Sequence, residues 1–524
     1  MNKLPDEIVE VVNSYVGFVP KNKKELKDAV DLYCTNKEEA IEIYGEISKW
    51  DTILITDMSE LFYDKINFNE NINNWNVSNV KYMNFMFFHA YVFNQPLNKW
   101  DVSNVISMEG MFCDTRNFNQ SLNDWDVSNV KNMAFIFSST VLYNKPLNNW
   151  NVSNVRNMQE MFSFSKQFNQ PLNDWDVSNV RNMQEMFSYS YSFNQPLNNW
   201  NVSNVVNMKG TFEHTPLFNQ PLNNWNVSNV KNMKEMFYYA ESFDQKLDNW
   251  DTKSVTNMYG MFLSADNFNQ ELNNWNVSNV KDMSYMLSCK LFNKSLNNWD
   301  VSNVVNMRHM FHDCEYFNGD ISTWNTKNVK IMESMFEGAF HFNQNINKWD
   351  TSNVVNMQNM FERAVTFNQP LNNWNVSNVR NMQTMFCNAA SFNQPLNNWN
   401  ISNVKKLSYM FADAIKFNNN IKTWNTSNVI DMSYMFYQSY KFNQDISSWN
   451  TKNVTNMDCM FYKTQYFNHN INNWNISNVR SMCQMFYRAT HYNQPIDKWD
   501  LSKVKDKRQM LQETKLEETC KDLK

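Results

Sequence analysis

Apolar residues recur along this chain with a period of 25, and the polar residues between them recur in step. Tryptophan marks the register: Trp50, Trp75 and Trp100 lead in steps of 25 to Trp275, one step of 24 reaches Trp299, and steps of 25 run on to Trp499. All 19 tryptophans obey it. With Trp as position 0, the unit Trp225 to Asn249 reads WNVSNVKNMKEMFYYAESFDQKLDN. Its apolar positions are 0, 2, 5, 8, 11, 12, 15, 18 and 22. A unit this short cannot bury a core alone, so the pattern predicts a stack of similar coils, each covered by its neighbours.

Two periodicities alternate inside the unit. Met233, Met236, Phe237 and Ala240 are spaced i, i+3, i+4, i+7, which predicts one face of a short helix. Ser228 and Asn229 precede it as candidate caps. Trp225 and Val227 flank polar Asn226, the alternation of a short strand. The expected fold class is an α/β repeat solenoid of about 19 coils, each a short strand plus a short helical turn. Helical caps should close both ends. The expected organisation is an N-terminal helical cap over 1–45, the repeat over 46–502 and a charged C-terminal helical cap over 503–524. Asparagine holds position 4 (Asn79, Asn104, Asn229) and position 19 (Asn94, Asn169, Asn393) in most units. Stacked asparagines can satisfy turn backbone and bond neighbouring coils, a structural role. The missing residue lies between Leu287 and Phe292 and predicts a local irregularity.

Composition removes several function classes. A net charge of -5 over 524 residues gives no basis for a nucleic-acid binder or a polybasic membrane anchor. Only 7 glycines are present, so glycine-rich phosphate loops are excluded in practice. No apolar run approaches a membrane span, and the start lacks the apolar core of a signal peptide. The 8 cysteines scatter in repeat position, as reduced thiols rather than a disulfide or zinc framework. These features predict an intracellular protein, in host cytoplasm or a virion if viral.

Candidate chemistry is sparse. The histidines are dispersed, and the tightest group is His309, His312, Asp313 and Cys314. Two histidines could share one helix face there, but the expectation is variable surface positions, with no metal site, cofactor or catalytic residue. Position 6 is basic in Lys81, Lys131, Arg156, Arg181, Lys231, Lys281, Lys330, Arg380, Lys405 and Arg480. Stacking would align these into a stripe, expected to be a solvated face. The positions that change freely, 13, 14, 16 and 17, are rich in aromatics. Phe88, Tyr189, Tyr191, Tyr238, Tyr239, Tyr437, Tyr440, Tyr462 and Tyr487 are the candidate protein-binding residues.

The unit W-[ND]-[VT]-S-N-V-x-N-M-x-x-M-F-x-x-A-x-x-F-N-Q-P-L-N-N, over roughly Ile47 to Ser502, resembles the 26-residue repeat of BspA-like bacterial surface proteins. That repeat is also described as a mycoplasma-lipoprotein-type domain of unknown function. The resemblance implies a leucine-rich-repeat-like solenoid, with Trp225 in the place of a central leucine. The missing signal peptide and lipobox cysteine make the chain more similar to giant-virus or protist versions than to exported adhesins. At the start, Leu4, Pro5, Asp6, Glu7, Ile8, Val11, Val12, Tyr15 and Val16 resemble the opening of an F-box. An ordinary amphipathic first helix fits those residues as well.

The function expected from all this is a non-enzymatic protein-interaction scaffold. One alternative is an F-box-type substrate-recruiting subunit of a ubiquitin ligase, with a Skp1-type adaptor as partner. Another is a structural surface or virion component. No small-molecule substrate, nucleic acid or membrane span is expected.

Overall fold

The computed structural model describes residues 17–518. The F-box-like stretch and Cys520 lie outside the described residues. The chain divides into two compact units, one up to Ser254 and one from Val255 onward.

The first unit opens with two helices, α1 (Lys23–Thr35) and α2 (Lys37–Tyr44). Asn22 caps α1 by accepting the Glu25 amide at 3.0 Å. Asn36 separates the helices and caps α2 through the Glu39 amide at 3.3 Å. Gly45, at φ 71°, ends α2 in a backbone region that suits glycine. Leu26, Ala29, Val30 and Tyr33 form the buried stripe of α1. This helix closes the open end of the first coil. Lys27 Nζ donates to the Leu61 carbonyl at 3.0 Å, Lys23 pairs with Asp57 at 2.9 Å, and Tyr33 meets Trp50 edge-on at 5.8 Å.

Both units are built from the same coil, and the coil corrects the expected strand and helix. Among the described residues no coil contains a strand or an α-helix. In the coil starting at Trp150, even positions send their amides across to the next coil: Met158 to Asn182 O (3.0 Å), Glu160 to Gln184 O (2.8 Å), Phe162 to Met186 O (2.9 Å) and Phe164 to Ser188 O (2.8 Å). Odd positions close tight i to i+3 turns within the coil: Met161 to Met158 O, Ser163 to Glu160 O, Ser165 to Phe162 O. Glu160 and Phe164 take left-handed backbone, at φ 50° and 57°. A helix has no place for left-handed residues at every fourth step, and its amides bond within the segment. The i, i+3, i+4, i+7 spacing buries one face in both conformations, so periodicity alone could not separate them.

The expected strand at Trp and Val is likewise absent. Isolated parallel bridges sit at position 7 instead, from Asp57 to Asn232 in the first unit and from Asp282 to Asp506 in the second. The candidate helix cap is corrected with them: Asn229 Nδ2 donates to Ser203 O of the previous coil at 2.8 Å. The C-terminal segment is not helical where described. Its residues continue the coil, with left-handed Gln509 and Glu513 and the bond from Arg488 N to Gln512 O. Glu517 accepts the Glu513 amide at 2.8 Å.

The core is a set of columns, and the apolar positions read from the repeat are the buried ones. Trp175 and Trp200 stack in parallel at 6.5 Å. Phe162 packs on Phe168 at 4.1 Å in its own coil and on Phe187 at 5.7 Å in the next. Each buried ring removes ~150–250 Å² from water, so these columns dominate cohesion. The indole nitrogen is used as well: Trp175 Nε1 donates to the Leu147 carbonyl one coil back at 3.0 Å.

The asparagine ladders carry the structural role expected of them. Asn154 Nδ2 donates to Ser128 O at 2.8 Å, and Asn169 Oδ1 accepts the Asn194 amide at 3.0 Å. At the one-residue deletion the irregularity is local. The Ser288 hydroxyl donates to His312 O at 2.7 Å, a carbonyl that a backbone amide serves in other coils.

Candidate functional site

Left-handed backbone at positions 10 and 14 sets where side chains leave the coil, and position 14 stacks in register. Phe164, Tyr189, His214 and Tyr239 form one continuous aromatic stack in the first unit, with ring centroids 4.3, 4.2 and 4.7 Å apart. Tyr238 meets His214 edge-on at 5.0 Å, and Tyr191 meets Tyr189 edge-on at 6.3 Å. Phe164, Tyr191 and Tyr239 are exposed, while Tyr189, His214 and Tyr238 are half-buried. Burial lowers the His214 pKa, which favours a neutral ring inside the stack. Burial, with Glu235 and Glu185 nearby, pushes the adjacent Glu213 carboxyl up to about 7.

The remaining aromatic candidates divide. Tyr437, Tyr462 and Tyr487 stack at 4.7 and 4.9 Å in the second unit, all half-buried. Tyr440 is exposed, its hydroxyl bonded to Gln438. Phe88 belongs to a separate cluster with Tyr63 and His89. Sequence reasoning missed His214 as a member of the stack. The available signal was its position, the same as that of Tyr189 and Tyr239.

The basic positions also form rows. Arg156 N bonds Lys131 O and Arg181 N bonds Arg156 O, both at 2.9 Å, which superposes successive side chains. All ten basic candidates are exposed. Ile106 and Val206 interrupt the row in the first unit, leaving Lys131, Arg156 and Arg181 as its longest run there.

Three of the cysteines are held as thiols. Burial pushes Cys113 and Cys387 up to about 12 and Cys459 up to about 11, so all three are protonated thiols at neutral pH. The cleft of about 420 Å³ beside α1 is lined by polar groups already paired, Lys37 with Glu70 and Lys65 with Asp31, each at 2.6 Å. The group His309, His312, Asp313 and Cys314 is rearranged relative to a helix. Cys314 turns inward and donates to Leu287 O at 2.6 Å, while the two histidines meet Glu337 of the next coil.

The model of one family matches the chain in six overlapping stretches, 32–144, 120–224, 207–321, 260–363, 305–424 and 405–522. The chain belongs to the family described as "Mycoplasma protein of unknown function, DUF285". This is the repeat family its motif resembles, and each unit is a repeat solenoid. No curated protein matches the chain. Solved structures similar to it include the following two. One is the TLR13–ssRNA13 complex, at 10% identity over 83% of this chain and 83% of that one, with a TM-score of 0.17. The other is the Leptospira interrogans LRR protein LIC12759, at 8% identity over 73% of this chain and 87% of that one, with a TM-score of 0.16. No helix among the described residues is long and apolar enough to cross a membrane.

Proposed function

We propose that the protein is a non-enzymatic interaction scaffold that holds protein partners on the aromatic rows of its coils. The observation that carries this reading is the stack of Phe164, Tyr189, His214 and Tyr239. Core positions repeat one residue type from coil to coil, whereas this row varies and is partly open to solvent. Ring-on-ring packing between coils holds the side chains before a partner arrives, so little rotamer freedom is lost on binding. Large, ordered aromatics with little charge are the residues that dominate protein interfaces. The protonated thiols of Cys113, Cys387 and Cys459 support a binding role over a catalytic one.

The test compares partners captured by the full chain, by a Tyr189→Asn/Tyr239→Asn variant, and by a Lys131→Gln/Arg156→Gln/Arg181→Gln variant. Asparagine tolerates left-handed backbone, so the first variant removes rings without adding strain. Loss of one anchor ring at about 2 kcal/mol should weaken binding roughly 30-fold, and loss of both by up to roughly several-hundred-fold. The basic-row variant should keep the partners. Equal capture by the aromatic variant and the unmodified chain would refute the assignment.

A further inference from the structure

We propose that His309, His312 and Glu337 form a binding site for one zinc-class divalent cation, joining two neighbouring coils of the second unit. One ligand atom from each residue lies within 4.8 Å of the other two, and among the described residues this is the one place where three such groups converge. Zinc held tetrahedrally at bonds of ~2.0–2.1 Å needs ligand atoms roughly 3.4 Å apart. No pair of these atoms therefore stands more than about 1.4 Å beyond that spacing.

Backbone register, not chance proximity, brings the three together. His309 N bonds Glu333 O at 2.9 Å, Phe311 N bonds Met335 O at 3.0 Å, and Asp313 N bonds Glu337 O at 2.7 Å. These bonds lay the Glu337 coil directly against the histidines. The His309 ring is fixed by stacking on Tyr285 at 4.5 Å and 7° and by an edge contact to His312 at 5.0 Å. Its Nδ1 is buried and has no hydrogen-bond partner. A cation would use that nitrogen.

His312 shows the arrangement that orients a metal-binding imidazole. Its Nδ1 faces the Asp313 carboxylate at 3.4 Å, and its Nε2 faces Glu337 at 3.6 Å. A carboxylate on one ring nitrogen fixes the tautomer that leaves the other nitrogen free for metal. Arg363, 3.7 Å from Asp313, anchors that carboxylate in turn. Two imidazoles and one carboxylate suit zinc and its first-row neighbours, whereas calcium and magnesium prefer all-oxygen sets. Three protein ligands leave a fourth position for water, and all three side chains are half-buried, within reach of an entering ion.

The test uses the full chain, stripped with chelator and titrated with Co²⁺, whose visible absorption reports tetrahedral nitrogen and oxygen ligands. One equivalent should produce the band, and Zn²⁺ should bleach it. Glu337→Gln and His312→Gln should each weaken Co²⁺ binding at least tenfold while leaving the metal-free melting temperature within a few degrees. His89→Ala, a histidine in the other unit, should bind like the unmodified chain. Absence of the band, binding that survives both site variants, or binding lost in His89→Ala would overturn the proposal. If a site variant fails to fold, the unmodified chain still decides: less than one equivalent of Co²⁺ retained after dialysis overturns it.

Discussion

Replacing Trp374 by alanine should open its own stretch of the second unit and leave the first unit intact. Trp374 is 3% exposed, stacks on Trp399 at 6.5 Å, and contacts Phe361 at 6.1 Å. Burying a tryptophan removes ~150–250 Å² from water, worth about 4–6 kcal/mol as an upper estimate. Measured losses for Trp→Ala in cores run at about 3–5 kcal/mol. The indole also donates to the Ile346 carbonyl at 3.0 Å, and orphaning a buried acceptor costs about 1–3 kcal/mol. The combined local loss is about 5 kcal/mol, comparable to the stability of a small domain. Because each coil contacts only its neighbours, the loss should stay near the substitution. Hydrogen exchange read by mass spectrometry should show deprotection of peptides around Phe361, Trp374 and Trp399, with peptides around Trp100 and Trp125 unchanged. Trp374→Phe keeps one aromatic ring in the column but loses the N–H and part of the buried indole volume, so it should cost about 2–3 kcal/mol, less than alanine. Equal deprotection along the whole chain, or a phenylalanine variant as damaged as the alanine one, would refute the column account.

Four further outcomes follow from the same geometry. Burial raises the Glu213 pKa to about 7, so the folded state holds a proton that the unfolded chain releases near its ordinary 4.5. Stability contributed at this site therefore falls as pH rises from about 4.5 to about 7, and Glu213→Gln should raise the melting temperature at pH 8 but not at pH 4. Gly110 has φ 58°, and a Cβ there would lie 2.3 Å from the Phe85 ring, so Gly110→Ala should destabilise by about 1–3 kcal/mol in denaturant titration. At the same coil position Glu160→Gly should be nearly neutral, since relief of left-handed strain offsets the entropy of glycine, about 0.5–1 kcal/mol. Asn154→Ala removes the bond to Ser128 O and should cost about 0.5–1.5 kcal/mol, seen as faster amide exchange in the coils it joins.

Burial was readable from the sequence because a fixed period exposes which positions never change. Every apolar position of the unit is part of the core, and both asparagine ladders bond neighbouring coils. Local conformation was not readable, because Met233, Met236, Phe237 and Ala240 have the spacing of a helix face yet sit in turns. The deciding term is where the amides go, and that depends on the neighbouring coil. One sequence signal for it existed: Gly110, Gly210, Gly260 and Gly338 all fall at the left-handed positions 10 and 14. Glutamate, tyrosine and histidine occupy the same positions elsewhere, which masks the signal. The site was legible in part. Tyr189 and Tyr239 stood out as aromatics at a varying position, but their union with His214 requires the stacking register. Likewise His309 and His312 were visible as a pair, whereas Glu337 is a full coil away in sequence and becomes their neighbour only through the backbone bonds between coils.

The proposed function places partners on the aromatic row of the first unit. A photo-crosslinking residue placed in turn at Tyr189, Tyr239, Lys131 and Gln195 of the full chain tests it directly. Protein crosslinks should form from the first two positions, with none above background from Lys131 or Gln195. Crosslinks confined to Lys131 or Gln195, or equal at all four positions, would contradict it.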